Sequence, residues 1–183
     1  MRNFFLGVLS TLIVLLAGGY AFLKSGQVNT RADEQPSSVE TSLAMSAVDA
    51  SVDRHAARQK NPLPRTEENL VKGAKLYVDH CAGCHGVPSN PDGKFAHSFY
   101  PPVPGFFKDP PDMTETQNFY IILHGLRWTG MPAWKQTLTD EQVWQIVTLL
   151  DNIQSLPPAA VKLLGATGTP APAPEPNPTH MTH

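Results

Sequence analysis

The apolar positions fall into blocks of different period. From Phe4 to Leu23, "FFLGVLSTLIVLLAGGYAFL", twenty residues without a charge run between Arg2 and Lys24, about the length a helix needs to cross the hydrocarbon of a bilayer. The expected element is a membrane-spanning helix retained as an anchor. A cleaved signal peptide is the competing reading, but its apolar core is typically about 7–15 residues and ends in a small-x-small site, which is not evident here. A lipoprotein would need a cysteine soon after the apolar run, and both cysteines lie far downstream.

Three later blocks repeat at helical spacing. Thr66 opens "TEENLVKGAKLYVDHCAGCH", in which Leu70, Ala74 and Tyr77 share one face. Thr114 with Gln117 has capping-box form before Phe119, Ile122 and Leu123, with a stop at Gly125. Thr139 with Gln142 repeats the box before Val143, Ile146, Val147, Leu150 and Ile153, a stripe that ends before Pro157 and Pro158. Between the first and second helices, residues 87–111 are dense in proline, which excludes a long helix and most strand pairing. Loops of that length are uncommon unless something organises them, and three short helices enclose little apolar volume. A large apolar cofactor would supply the missing core.

The flanks read differently. Residues 25–60 are polar and rich in small residues, a tether in which Ser42 to Arg58 can form a loose docking helix. From Gly165 onward, "GATGTPAPAPEPNPTHMTH" favours extended, solvated chain. The expected division is residues 1–24 anchor or uncleaved signal, 25–60 tether, 61–157 folded domain and 158–183 disordered tail. A net charge of -2, from 14 Lys and Arg against 16 Asp and Glu, offers no broad basic field, so nucleic acid is not an expected partner. The basic residues flanking the apolar run are nearly balanced, so the positive-inside rule does not assign its orientation.

The only two cysteines, Cys81 and Cys84, stand in "CAGCH" with His85 directly behind. Residues three and four apart share a helix face, so two thiols and an imidazole converge. Thiols at this spacing can add across the two vinyl groups of a haem while the imidazole reaches the iron, which is why CxxCH reads as c-type haem attachment. A structural zinc needs about four ligands, and although His80 and His85 flank the pair, no second CxxC or HxxxH module follows. A redox dithiol expects its first cysteine at a helix N-terminus in a βαβ setting, whereas here a helix leads into the motif. Low-spin haem iron takes a second axial ligand, and methionine sulfur raises the potential. Met113 and Met131 are the candidates; Met131, in "RWTGMPAW" between Gly130 and Pro132, is preferred because Met113 sits in the cap of the second helix.

These segments together, "GAKLYVDHCAGCHG", "TGMPAW" and "LTDEQVWQIVTLL", resemble a class I monohaem c-type cytochrome, in particular the small bacterial members carried on an N-terminal anchor. The resemblance spans about Pro64 to Leu156. It implies an all-α cytochrome c fold: three main helices and long loops around one covalent haem c, preceded here by one transmembrane helix. Cys81 and Cys84 match the thioether positions, His85 the proximal ligand and Met131 the distal one. Gly73 and Tyr77 match the positions where the first helix crosses the last, with Ile146, Leu149 or Leu150 opposite. In such proteins a proline carbonyl holds the proximal imidazole N–H, with Pro101 or Pro102 as the candidate. Arg127 or Trp128 can hydrogen-bond a haem propionate; equally, Arg127 can be solvated and Trp128 packed. Trp134 is expected beside the ligand loop, and Phe99, Tyr100, Phe106 and Phe107 as pocket wall. The remaining histidines, His55, His80, His97, His124, His180 and His183, read as surface or structural.

The function so implied is electron transfer without a small-molecule substrate, between a redox protein donor and acceptor. The haem domain would lie on the periplasmic side of the inner membrane. Two alternatives stay open: a haem subunit of a larger respiratory or photosynthetic complex, and a peroxidase or gas sensor with a labile distal ligand.

Overall fold

The structure, a computed structural model, describes residues 1–56 and 60–165, and seven helices form among them. No strand forms in these residues; a single bridge pairs Val87 with Asn90. The first helix, α1 (Arg2–Lys24), has no buried residue and is the one described helix long and apolar enough to cross a membrane. Apolar on every side, it has no seam with which to dock on a water-soluble domain.

The three helices expected from periodicity all form, and each starts at its threonine. Thr66 caps α3 (Glu67–His80), accepting from Asn69 N at 3.2 Å. Thr114 and Thr139 open α5 (Glu115–His124) and α6 (Asp140–Asp151), each with a complete capping box that satisfies two of the otherwise orphaned N–H groups. Between α3 and α5 lies α4 (Ala82–His85), one turn entered from Cys81. All eight residues from Val143 to Leu150 are buried, so α6 is the centre of the fold rather than an amphipathic cover.

The α3–α6 crossing depends on a missing side chain. A Cβ at Gly73 would overlap the Gln145 carbonyl and stand 3.1 Å from Leu149 Cβ, so the two helices meet backbone to backbone. Of the partners proposed for Gly73, Leu149 lies nearest, together with the main chain of Gln145. Helix α5 lies on α6 through the stacked rings of Phe119 and Trp144, with centroids 4.2 Å apart.

Both flanks differ from expectation. Residues 158–165, assigned by sequence to a disordered tail, form α7 (Pro158–Gly165), which packs on α3 with Ala160 and Leu164 fully buried. Pro158 opens that helix where proline's missing N–H costs nothing, and two apolar residues four apart give it a face. The remaining tail, with Met181, His180 and His183, lies outside the described residues. Within the stretch read as tether, α2 (Ser38–His55) is an 18-residue helix docked on α5. Its face carrying Thr41, Val52 and His55 is held: Val52 is 1% exposed, Asp53 accepts from Gln117 Nε2 at 2.7 Å, and the His55 ring stacks on Tyr120. A docking helix was expected from Ser42 and forms from Ser38; one buried valine and a few directional polar contacts seat it despite its polar composition.

Candidate functional site

The proximal half is built at the end of α3. Cys81 caps that helix, and its carbonyl accepts from Cys84 N at 3.0 Å and His85 N at 2.9 Å, which places the three chemistry-bearing residues on one turn. Both cysteines are free thiols. Burial, reinforced by neighbouring Cys84, pushes the Cys81 thiol up to about 12, so it stays protonated and does not behave as a low-pKa redox dithiol. No group of three or more His, Cys, Asp and Glu side chains able to hold a metal ion occurs among the described residues.

His85 is oriented by the proline-dense loop. Its Nδ1 lies 2.9 Å from the Pro104 carbonyl. Because that oxygen can only accept, Nδ1 carries the proton, and Nε2 of the neutral ring keeps the lone pair a metal needs. Burial pushes the imidazole below its ordinary pKa, with the Pro104 bond acting in the opposite sense. The expectation of Pro101 or Pro102 as this carbonyl is therefore corrected to Pro104. The reason is the path of the loop: Gly83 O accepts from Lys94 N and Phe95 N, and Val103 N donates to Ala96 O. These bonds bring the chain back beneath α4 only after Val103.

The distal half is a tight loop from α5. Gly125 ends that helix at φ 68°, a left-handed conformation that favours glycine. Leu126 N then donates to Met131 O at 3.1 Å, and Trp134 N and Lys135 N return to Ile122 O and Leu123 O. Thr129 ties the loop internally: its hydroxyl donates to Leu126 O at 2.8 Å and accepts from Met131 N at 3.0 Å. Met131 packs against the same core cluster as Cys81 and Ala82. Met113 lies elsewhere, lining a shallow cavity between α2 and α5 with Asp49, Asp53 and Asp112.

The other candidates separate. Trp134 packs on the core with its ring 5.0 Å from that of His80. Gly130 backs directly onto the ring of Phe99, which joins the proline loop to the ligand loop. Tyr100 is engaged by α2, its hydroxyl 2.8 Å from Thr41 Oγ1, and Pro101 is half-buried beside it. The packed alternative for Trp128 is not what forms: it adopts a left-handed backbone at φ 61° and is 90% exposed, with the Arg127 guanidinium 6.0 Å from its ring. Sequence reasoning did not find the Tyr77 hydroxyl, buried and donating to Gly86 O at 2.9 Å, nor the role of Thr129. Threonine two residues before Met131 was the available signal for the second.

Two free cysteines lie on the turn that presents the His85 imidazole, and a methionine thioether lies on a separate loop packed on the same core. Residues 68–150 match the family described as cytochrome c oxidase, cbb3-type, subunit III. The chain thus carries a c-type cytochrome domain, which implies a covalently bound c-type haem. No curated protein matches the chain. The residues fit such a group: both thiols are free to form thioethers, and the imidazole has its outer nitrogen already satisfied.

Proposed function

We propose that this protein passes single electrons between redox proteins at the extracytoplasmic face of the inner membrane, using one haem c held by Cys81 and Cys84 with His85 and Met131 as axial ligands. The observation that carries this reading is the Pro104 bond to His85 on the same turn as two free thiols. The haem supplies a reversible one-electron change at iron with no substrate bond made or broken. For its part the chain fixes the imidazole through Pro104 and offers a thioether that favours the ferrous state. Helix α1 restricts the domain to the membrane surface. Because α2 packs on the domain, only residues 25–37 act as a leash. Neither a small-molecule substrate nor nucleic acid is required. Arg127 is the favoured propionate partner, since a guanidinium pairs with a carboxylate more strongly than an indole N–H does.

The test begins with the full chain matured in a host that attaches haem. Intact mass is expected to show one added tetrapyrrole, and a denaturing gel to stain for haem. Replacement Met131→Ala should abolish the sulfur-to-iron charge-transfer band of the ferric protein without releasing the haem. Tight carbon monoxide binding by the fully reduced parent would instead support an enzyme or gas sensor with an open distal site. A second reading, a fixed haem subunit of a larger respiratory complex, is favoured by the matched family's own description as an oxidase subunit. Purification in mild detergent separates the two: a lone shuttle emerges alone, a subunit with stoichiometric companions.

A further inference from the structure

From the stacking geometry we infer that Phe106 is a positioning residue for the proximal histidine, setting the plane of the imidazole and shielding it from water. The inference rests on His85 being the iron ligand. The Phe106 and His85 rings are 4.3 Å apart between centroids and within 8° of parallel. One hydrogen bond from Nδ1 to Pro104 O fixes one edge of the imidazole but leaves it free to rock about that bond; a flat ring laid on its face removes that freedom. Phe106 and Pro104 are separated only by Gly105, so both constraints come from one short segment.

That segment is itself immobilised. A Cβ at Gly105 would overlap the Pro91 carbonyl, so the loop is pressed against its own earlier part. The carbonyl of Gly105 accepts from Lys108 N and Asp109 N, each at 2.9 Å. Phe107 sets its ring edge-on to Tyr77, with centroids 5.8 Å apart and planes at 82°, and Tyr77 in turn donates to Gly86 O beside His85. Neighbouring phenylalanines thus grip the ligand turn from two directions, Phe106 on the imidazole and Phe107 through Tyr77. An apolar ring over the ligand also lowers the local dielectric, which disfavours the more highly charged ferric state.

The experiment compares matured full-length F106L and F106Y with the parent, by electron paramagnetic resonance of the ferric state and by redox titration. In F106L the haem mass and the sulfur-to-iron band are expected to persist, while the low-spin signal broadens or splits and the potential falls. F106Y, which keeps a ring, should reproduce the parent's sharp signal and potential. A parent-like spectrum and potential in F106L would overturn the inference, as would F106Y behaving like F106L. If F106L fails to mature, F106M fills similar volume without a ring and is read by the same two outcomes. Absence of haem or of His/Met low-spin signals from the parent itself would bring down the ligand assignment, a different failure from one confined to the Phe106 variants.

Discussion

The two regions proposed to supply the iron ligands are hydrogen-bonded in different ways. The turn from Cys81 to His85 is held by groups far along the chain, the Pro104 carbonyl and the Phe106 ring, and from its own helix by Tyr77 on Gly86 O. The loop from Gly125 to Lys135 takes its hydrogen bonds from itself and its own helix, through Thr129 and backbone bonds to Leu126, Ile122 and Leu123, and meets distant residues through packing, Gly130 on Phe99 and Trp134 on His80. Long-range fastening makes the proximal ligand part of the cooperative fold, whereas local fastening lets the distal loop open alone. If His85 and Met131 hold the iron as proposed, the Met131 side is expected to let go before the His85 side.

The sharpest way to break this contrast is to attack the scaffold beneath the proximal turn. Gly73→Val drives a branched side chain into the Gln145 carbonyl, and we expect a loss of about 3 kcal/mol or more in urea titration. Both ligands should go together, with the charge-transfer band and the helical signal lost at one midpoint. Tyr77→Phe deletes one buried hydroxyl and leaves Gly86 O without that donor, a cost of about 1–3 kcal/mol that should again appear as a single shifted transition.

Tyr77 also has a pH signature. Burial, with Cys81 adding to it, holds its phenol well above the ordinary value of 10.0. Above about pH 10 the unfolded chain releases that proton while the folded protein retains it. The stabilisation is therefore full below pH 10 and declines as pH rises. Melting of the matured protein from about pH 9 to 11 should lose stability more steeply in the parent than in Tyr77→Phe.

On the distal side, Thr129→Val removes both hydroxyl bonds within the loop at about 1–2 kcal/mol. Here the expected outcome is a split: the charge-transfer band fades at a lower temperature than the helices melt. Coincident transitions would show that the distal loop is as cooperative as the proximal turn. The smallest effect is expected from Thr139→Ala, which removes the cap of α6 at about 1 kcal/mol and should lower global stability without separating the transitions.

Where the sequence was legible, the information was local. The capping threonines, the period of α3, α5 and α6, the stop at Gly125 and the CAGCH turn are set by residues within a few positions of one another. A docking helix near α2 was expected, but not the surface that receives it, and the docking of α7 was not legible, because Val52, Ala160 and Leu164 are ordinary residues until a surface meets them. Nor could the carbonyl for His85 be chosen among closely spaced prolines, since their local chemistry is alike.

The sequence by itself determined α3, α5 and α6, the apolar helix from Arg2 to Lys24, and the residues proposed to hold a haem, since propensity, capping and ligand chemistry act over a few residues. Tertiary structure alone decided which proline reaches His85, which ring covers it, and which flanking segments join the domain. Those outcomes depend on loop closure and on surfaces that exist only after α3 and α6 have met at Gly73.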